Sequence, residues 1–134
     1  MIIVDANIIT YLVIQSDKTP LAVSVIEKDN DWHAPVLWRS EMLNELAFYM
    51  RNTALSADAA YTTFKIAMAA VKGEIVVDEA EVLKLVSLSR CSSYDCEYVA
   101  AARSLRVPLV TEDNKLLAAF PGIAKSMSDF MDIK

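Results

Sequence analysis

Met1-Ile2-Ile3-Val4-Asp5-Ala6-Asn7 is the stretch on which the fold turns. Ile2, Ile3 and Val4 are consecutive β-branched residues without polar alternation, the pattern of a strand buried on both faces. Asp5 ends the run, so the strand carries a charged tip, and helical turns are expected from about Asn7.

The same alternation recurs outward from this stretch. Thr19-Pro20 places a capping hydroxyl before a proline at the first helical position and opens a helix to about Lys28. A second strand is expected over Asp31 to Ala34. Pro35 then opens a long helix to about Arg51, with Leu37, Leu43, Leu46, Ala47 and Met50 at helical spacing. Ser56 caps a further helix, Ala57 to about Val71, and Gly73 reads as its terminating glycine. Glu74 to Val77 is the third strand, followed by a helix from about Asp78 to Ser89. Ser92 and Ser93 precede a helix that carries Asp95 in its first turn and continues through an alanine-rich segment to Leu105. Pro108 to Thr111 is a fourth strand, ended by Glu112-Asp113. A short helix, an edge strand at Ile123 to Ser126 and a last turn follow. Strands alternating with helices predict the α/β class, a central parallel sheet of four to five strands flanked by helices. No repeat, low-complexity run or linker divides the 134 residues, which read as one domain, 1–134.

Composition narrows the function classes. The hydrophobic fraction of 54% and the mean hydropathy of +0.30 are high, yet no apolar run approaches the roughly 18 residues that span a bilayer, so no membrane partner is expected. No basic leader precedes Ile2, and Asp5 interrupts any signal-type apolar region; a cytoplasmic location is the expectation. Cys91 and Cys96, separated by Ser-Ser-Tyr-Asp and without a second pair, read as buried thiols of a reducing compartment. A net charge of -5 argues against a broad basic face, so any nucleic acid is engaged locally.

The acids themselves suggest where. Ligand sites of open parallel sheets form beyond the carboxyl ends of the strands. Asp5 closes the first strand, Asp113 follows the strand ending at Thr111, and Asp95 and Glu41 lie on helices able to close over the same end. Four acids brought together raise one another's pKa values, a cost relieved by protons or by cations. With one histidine in the chain, His33, and no His or Cys cluster, the donor set is all-oxygen and suits Mg2+ or Mn2+. Two such ions about 4 Å apart activate a water and stabilise the leaving oxygen of a phosphodiester. Arg39, Arg51, Arg103 and Lys115 are candidates for phosphate contacts. The same acids also suit helix caps and solvated termini, and the pattern alone leaves that reading open.

Four segments, in order, sharpen it. Ile3-Val4-Asp5-Ala6-Asn7, Pro35-Val36-Leu37-Trp38-Arg39-Ser40-Glu41-Met42-Leu43-Asn44, Tyr94-Asp95-Cys96-Glu97-Tyr98-Val99-Ala100-Ala101-Ala102 and Val110-Thr111-Glu112-Asp113-Asn114-Lys115-Leu116 resemble the motifs of the PIN-domain family. The resemblance is strongest to its small single-domain members, the VapC-like toxins of toxin-antitoxin pairs, and covers essentially the whole chain. It implies a parallel sheet with flanking helices, Mg2+ or Mn2+ bound by Asp5, Glu41, Asp95 and Asp113, and endonucleolytic cleavage of an RNA substrate. It further implies support of the metal site by Thr111, with Asn7 and Asn44 nearby, and allows an antitoxin protein as partner. A homodimer is compatible with the acidic balance and with the apolar stripe Tyr61, Phe64, Met68 and Val71, which equally fits burial against the chain's own sheet.

Other residues carry weaker signals. Glu45, one turn beyond Glu41, is a second-tier ligand or a solvated helix position facing Arg51. Glu112 reads as an exposed neighbour of Asp113 before a ligand. Trp38 reads first as core packing and second as a stacking platform for a base. His33 is assigned no catalytic role. Two other functions compete. A dehalogenase-like phosphotransferase also ends its first strand in aspartate but wants a second aspartate where this chain has Asn7. A PIN-fold binding or assembly module with weak or no nuclease activity is the alternative outside enzymes.

Overall fold

The computed structural model describes residues 1–132. In chain order the elements are β1 (Ile2–Val4), α1 (Ala6–Val13), α2 (Thr19–Lys28), β2 (Trp32–Pro35), α3 (Trp38–Asn52), α4 (Ala57–Ala70) and β3 (Val71–Ile75). There follow α5 (Glu79–Ser87), α6 (Ser93–Leu105), β4 (Leu109–Val110), α7 (Asn114–Ala119), β5 (Ala124–Lys125) and α8 (Met127–Phe130). The five strands form one parallel sheet in the order β3-β2-β1-β4-β5. The chain therefore builds outward from β1 in one direction, then returns to its other side with β4. Between β1 and β4 lies the switch point at which ligand crevices form in such sheets.

β1 is central because it is apolar throughout: Ile3 and Val4 are wholly buried and Ile2 nearly so. One face is covered by α6, which packs on β1, β2 and β4 through a stretch rich in small side chains, Val99 to Ala102. Alanines let a helix approach a sheet closely. α5 packs on α6, and α1 packs against α2, α3 and α4. Among the described residues no helix is long and apolar enough to cross a membrane, and both cysteines are free and buried.

Three details differ from the sequence reading. Pro35 closes β2 instead of opening α3, which begins at Trp38 after a turn at Val36 and Leu37; the proline's fixed φ suits the turn into the helix as well as the strand end. α4 passes into β3 at Val71 without a loop, so Gly73 lies inside the strand, paired with His33, and has no positive φ. The reason is steric: a Cβ at Gly73 would lie 2.4 Å from Nδ1 of His33. The buried face of α3 is Trp38, Met42 and Leu46, whereas Leu43 and Met50 are exposed.

Candidate metal centre

Each acid reaches the carboxyl end of the sheet by a different local device. Asp5 is the residue at which β1 becomes α1: its backbone N–H donates to the Val110 carbonyl at 3.0 Å, extending the ladder, while its own carbonyl accepts from Ile8 at 3.0 Å. Its side chain makes no cap bond to α1 and is left to face the cleft, with 8% of the residue exposed. Glu41 stands in the first turn of α3. Asp95 stands in the first turn of α6, whose N-cap Ser92 accepts from the Asp95 amide at 3.0 Å. Asp113 is the N-cap of α7 and accepts from the Lys115 amide at 2.8 Å.

Asp5, Glu41, Asp95 and Asp113 line a single cleft of about 280 Å3 together with Ala6, Asn7, Asn44 and Glu45. Thr111 stands behind it, donating to Oδ2 of Asp5 at 2.7 Å and accepting from the Asp113 amide at 3.0 Å. One hydroxyl thus ties two of the acids to the end of β4. Glu112 does not join them. Its carboxylate accepts from the Met127 amide at 3.1 Å and pairs with Lys18 at 3.4 Å, so it anchors the start of α8.

The electrostatics are those of crowded, half-dry carboxylates. Burial drives Asp5 up from about 3.8 to about 7; the charges of Glu41 and Asp95 push the same way, and the Thr111 hydrogen bond and the Ala6 amide pull back. Burial also raises Glu41, aided by Asp95 and Glu97 and opposed by a hydrogen bond from Tyr98. Among the described residues none of the four acids pairs with a lysine or arginine. Nor do three or more side chains there converge into a ready-made coordination shell. The donor chemistry nonetheless fits a hard cation: every polar side chain lining the cleft is a carboxylate or an amide, and among the described residues Oδ1 of Asn7 is buried without a hydrogen-bond partner.

Of the basic residues considered for phosphate, Arg39 is held by Glu74 through two bonds of 3.0 Å and Arg103 by Glu81 at 3.1 Å. Lys115, two residues after the α7 cap, makes no ion pair among the described residues. Trp38 is buried and stacks on Phe64 at 5.7 Å between ring centroids, so it belongs to the core and offers no face to a base. Of the apolar stripe, Phe64 and Val71 are buried while Tyr61 is 61% exposed, which divides it between the chain's own core and its surface. A larger hollow of about 580 Å3, floored by Val36, Ile75, Val77, Val82 and Leu83 with Glu79 and Glu97 at hand, lacks the convergence of acids. The residue that sequence reasoning missed is Tyr98. Its signal was there: a bulky side chain with a polar tip, three positions after Asp95 in a segment otherwise small and apolar.

Comparison with known proteins bears on this arrangement. The PIN domain model matches residues 2–121. A crystal structure of PAE2754 from Pyrobaculum aerophilum is similar, with a TM-score of 0.78, 24% identity, and coverage of 98% of this chain and 92% of that one. A toxin-antitoxin complex from Klebsiella pneumoniae gives a TM-score of 0.70 at 15% identity, covering 95% and 98%. VapBC2 from Rickettsia felis, bound to a DNA fragment from its promoter, gives 0.68 at 15%, covering 94% and 98%. No curated protein matches the sequence. The family match runs from β1 through α7 and so takes in every element that borders the acidic cleft; this chain belongs to the PIN-domain family.

Proposed function

We propose that the protein is a divalent-metal-dependent endoribonuclease that hydrolyses RNA phosphodiester bonds at this cleft. The observation that carries the reading is the meeting of four carboxylates, from four separate segments, in one cleft without a basic partner among the described residues. Besides protons, a cation is the means of offsetting their charge. PIN domains are generally nucleases, which supports the same conclusion.

Asp5, Glu41, Asp95 and Asp113 would hold Mg2+ or Mn2+, with Asn7, Asn44 and Glu45 close enough to the cleft to orient water. When bound, such an ion supplies Lewis-acid polarisation of the phosphoryl group and a water of lowered pKa. The protein's own part is positional. Thr111 holds one oxygen of Asp5, the Lys115 amide holds one oxygen of Asp113, and the sheet end beneath keeps solvent from that side. The polymer would lie across the cleft with one phosphodiester beside the acids. Lys115 stands beside the cleft as the basic group for a neighbouring phosphate.

The similar toxin-antitoxin structures support an antitoxin protein as partner, and exposed Leu43, Met50 and Tyr61 along the α3–α4 groove provide apolar surface for it or for a homodimer. The test of the enzyme is cleavage of a mixed panel of labelled RNAs in Mg2+, Mn2+ or EDTA, with Asp5→Asn in parallel. Metal-dependent cutting that disappears in the variant is expected. Cutting that persists in EDTA or in Asp5→Asn would overturn the reading.

A further inference from the structure

Tyr98 is almost fully buried on α6, one turn beyond Asp95, and its hydroxyl donates to Oε1 of Glu41 at 2.6 Å. The bond spans 57 residues of sequence and joins α6 to α3. It matches the contact on the other side of the cleft, where Thr111 donates to Oδ2 of Asp5 at 2.7 Å. Asp5 and Glu41 therefore each have one oxygen held by a neutral hydroxyl.

The neutrality of the donor matters. A lysine or arginine in that place would orient the carboxylate equally well, but it would cancel the charge and compete with a cation for the same oxygen. A hydroxyl fixes the rotamer and leaves the charge in place. Groups behind metal-bound carboxylates act in this way, fixing orientation without touching the ion. Placement on α6 adds a mechanical link, since the helix that presents Asp95 also sets the angle of Glu41.

We propose that Tyr98 is a positioning residue of the cleft, holding Glu41 by a single donated hydrogen bond so that its second oxygen faces the cation. The inference rests on the metal-site reading above. A purely structural tyrosine would need only its ring, which phenylalanine supplies.

The experiment is Mn2+ binding by isothermal titration calorimetry to the wild type, Tyr98→Phe and Asp5→Asn, with metal-free melting curves for each. Tyr98→Phe is expected to melt close to the wild type without metal yet to bind Mn2+ about tenfold more weakly. The Mg2+ concentration for half-maximal RNA cleavage should rise by a similar factor, with activity recovering at saturating Mg2+. Unchanged Mn2+ affinity in Tyr98→Phe, with binding lost in Asp5→Asn, overturns the role of Tyr98 and leaves the site standing. Mn2+ binding that survives in Asp5→Asn overturns the site reading, and this inference with it. A measurement on the wild type covers the case in which Tyr98→Phe does not fold. With 13C-labelled tyrosine, Mn2+ replaced by diamagnetic Mg2+ should shift the ring resonances of Tyr98 and leave those of exposed Tyr61 in place; a Tyr98 signal indifferent to Mg2+ overturns the proposal.

Discussion

The four acids of the cleft fall into two pairs that differ in what the fold does for them. Asp5, buried, and Glu41, half-buried, form an inner pair held by side-chain hydroxyls, and burial raises both carboxyls. Asp95 and Asp113 stand at the starts of α6 and α7, partly open to solvent, where helix amides favour negative charge. The inner pair costs stability when ionised, while the outer pair contributes to it as ordinary helix-start residues. Position is obtained from burial at one wall of the cleft and from local hydrogen bonding at the other.

The largest effect should come from breaking the inner pair. Asp5→Asn preserves shape and removes charge, and cleavage at saturating Mg2+ should fall about 1000-fold or more, the equivalent of about 4 kcal/mol of lost transition-state stabilisation. A fall of less than about tenfold would show that the inner acid is dispensable.

Next is the stability of the metal-free protein. Asp5 titrates near 7 folded against about 3.8 as an ordinary aspartate, so between those values the folded state binds the extra proton. The stability this neutral carboxyl preserves is complete below about pH 4 and is lost as pH rises through 7. In EDTA, moving from pH 5 to pH 8 should cost the wild type on the order of 2–3 kcal/mol more, by urea unfolding, than it costs Asp5→Asn. Equal pH dependence in the two proteins would sink the argument.

The outer pair gives a smaller and separable effect. Asp113→Ala removes both a charge and the cap on α7, and should destabilise the metal-free fold by about 1 kcal/mol; Asp113→Asn should keep the cap. Both should weaken Mn2+ binding, so equal affinity losses with unequal melting temperatures would mark the two roles apart. Smallest of all is Glu112→Gln. Its partner Lys18 is 44% exposed, so the pair is worth a few tenths of a kcal/mol at most. Metal affinity should not change, and a change would move Glu112 into the cleft.

How much of this was legible in the sequence depended on whether the deciding contact was local. The β1 run and the Ser56 cap are written in neighbouring residues, and the structure has them where the pattern predicts; α2 also begins at Thr19-Pro20, but its N-cap is Lys18, and the Thr19 hydroxyl donates instead to the Tyr11 and Ile14 carbonyls. Gly73 was not legible, because its reason is a histidine ring on another strand, and a glycine near a helix end has a simpler local explanation. Pro35 failed similarly: the same residue suits a helix start and a strand's last position. On α3 the apolar positions outnumber those that the core can take, and the sequence does not say that Met42 faces inward and Leu43 outward. At the cleft, the strand-end positions of Asp5 and Asp113 and the resemblance to the PIN family led to the expectation that they share one location with Glu41 and Asp95, and the four line one cleft. Glu112 and Asp113 are adjacent acids with opposite destinations, a difference made by the Met127 amide far along the chain.

The cleft also has a history during synthesis. Its acids stand at residues 5, 41, 95 and 113, and the strand that carries the last wall, β4, pairs with β1. A nascent chain can cap its helices and bury β1 against β2 early, yet β1 lacks its other neighbour until more than a hundred residues have emerged. Pairing across that separation is a late, slow event. A truncated product stopping anywhere before residue 113 would hold at most three of the four acids. On the nuclease reading proposed above, strand order alone would delay competence until residue 113 has emerged.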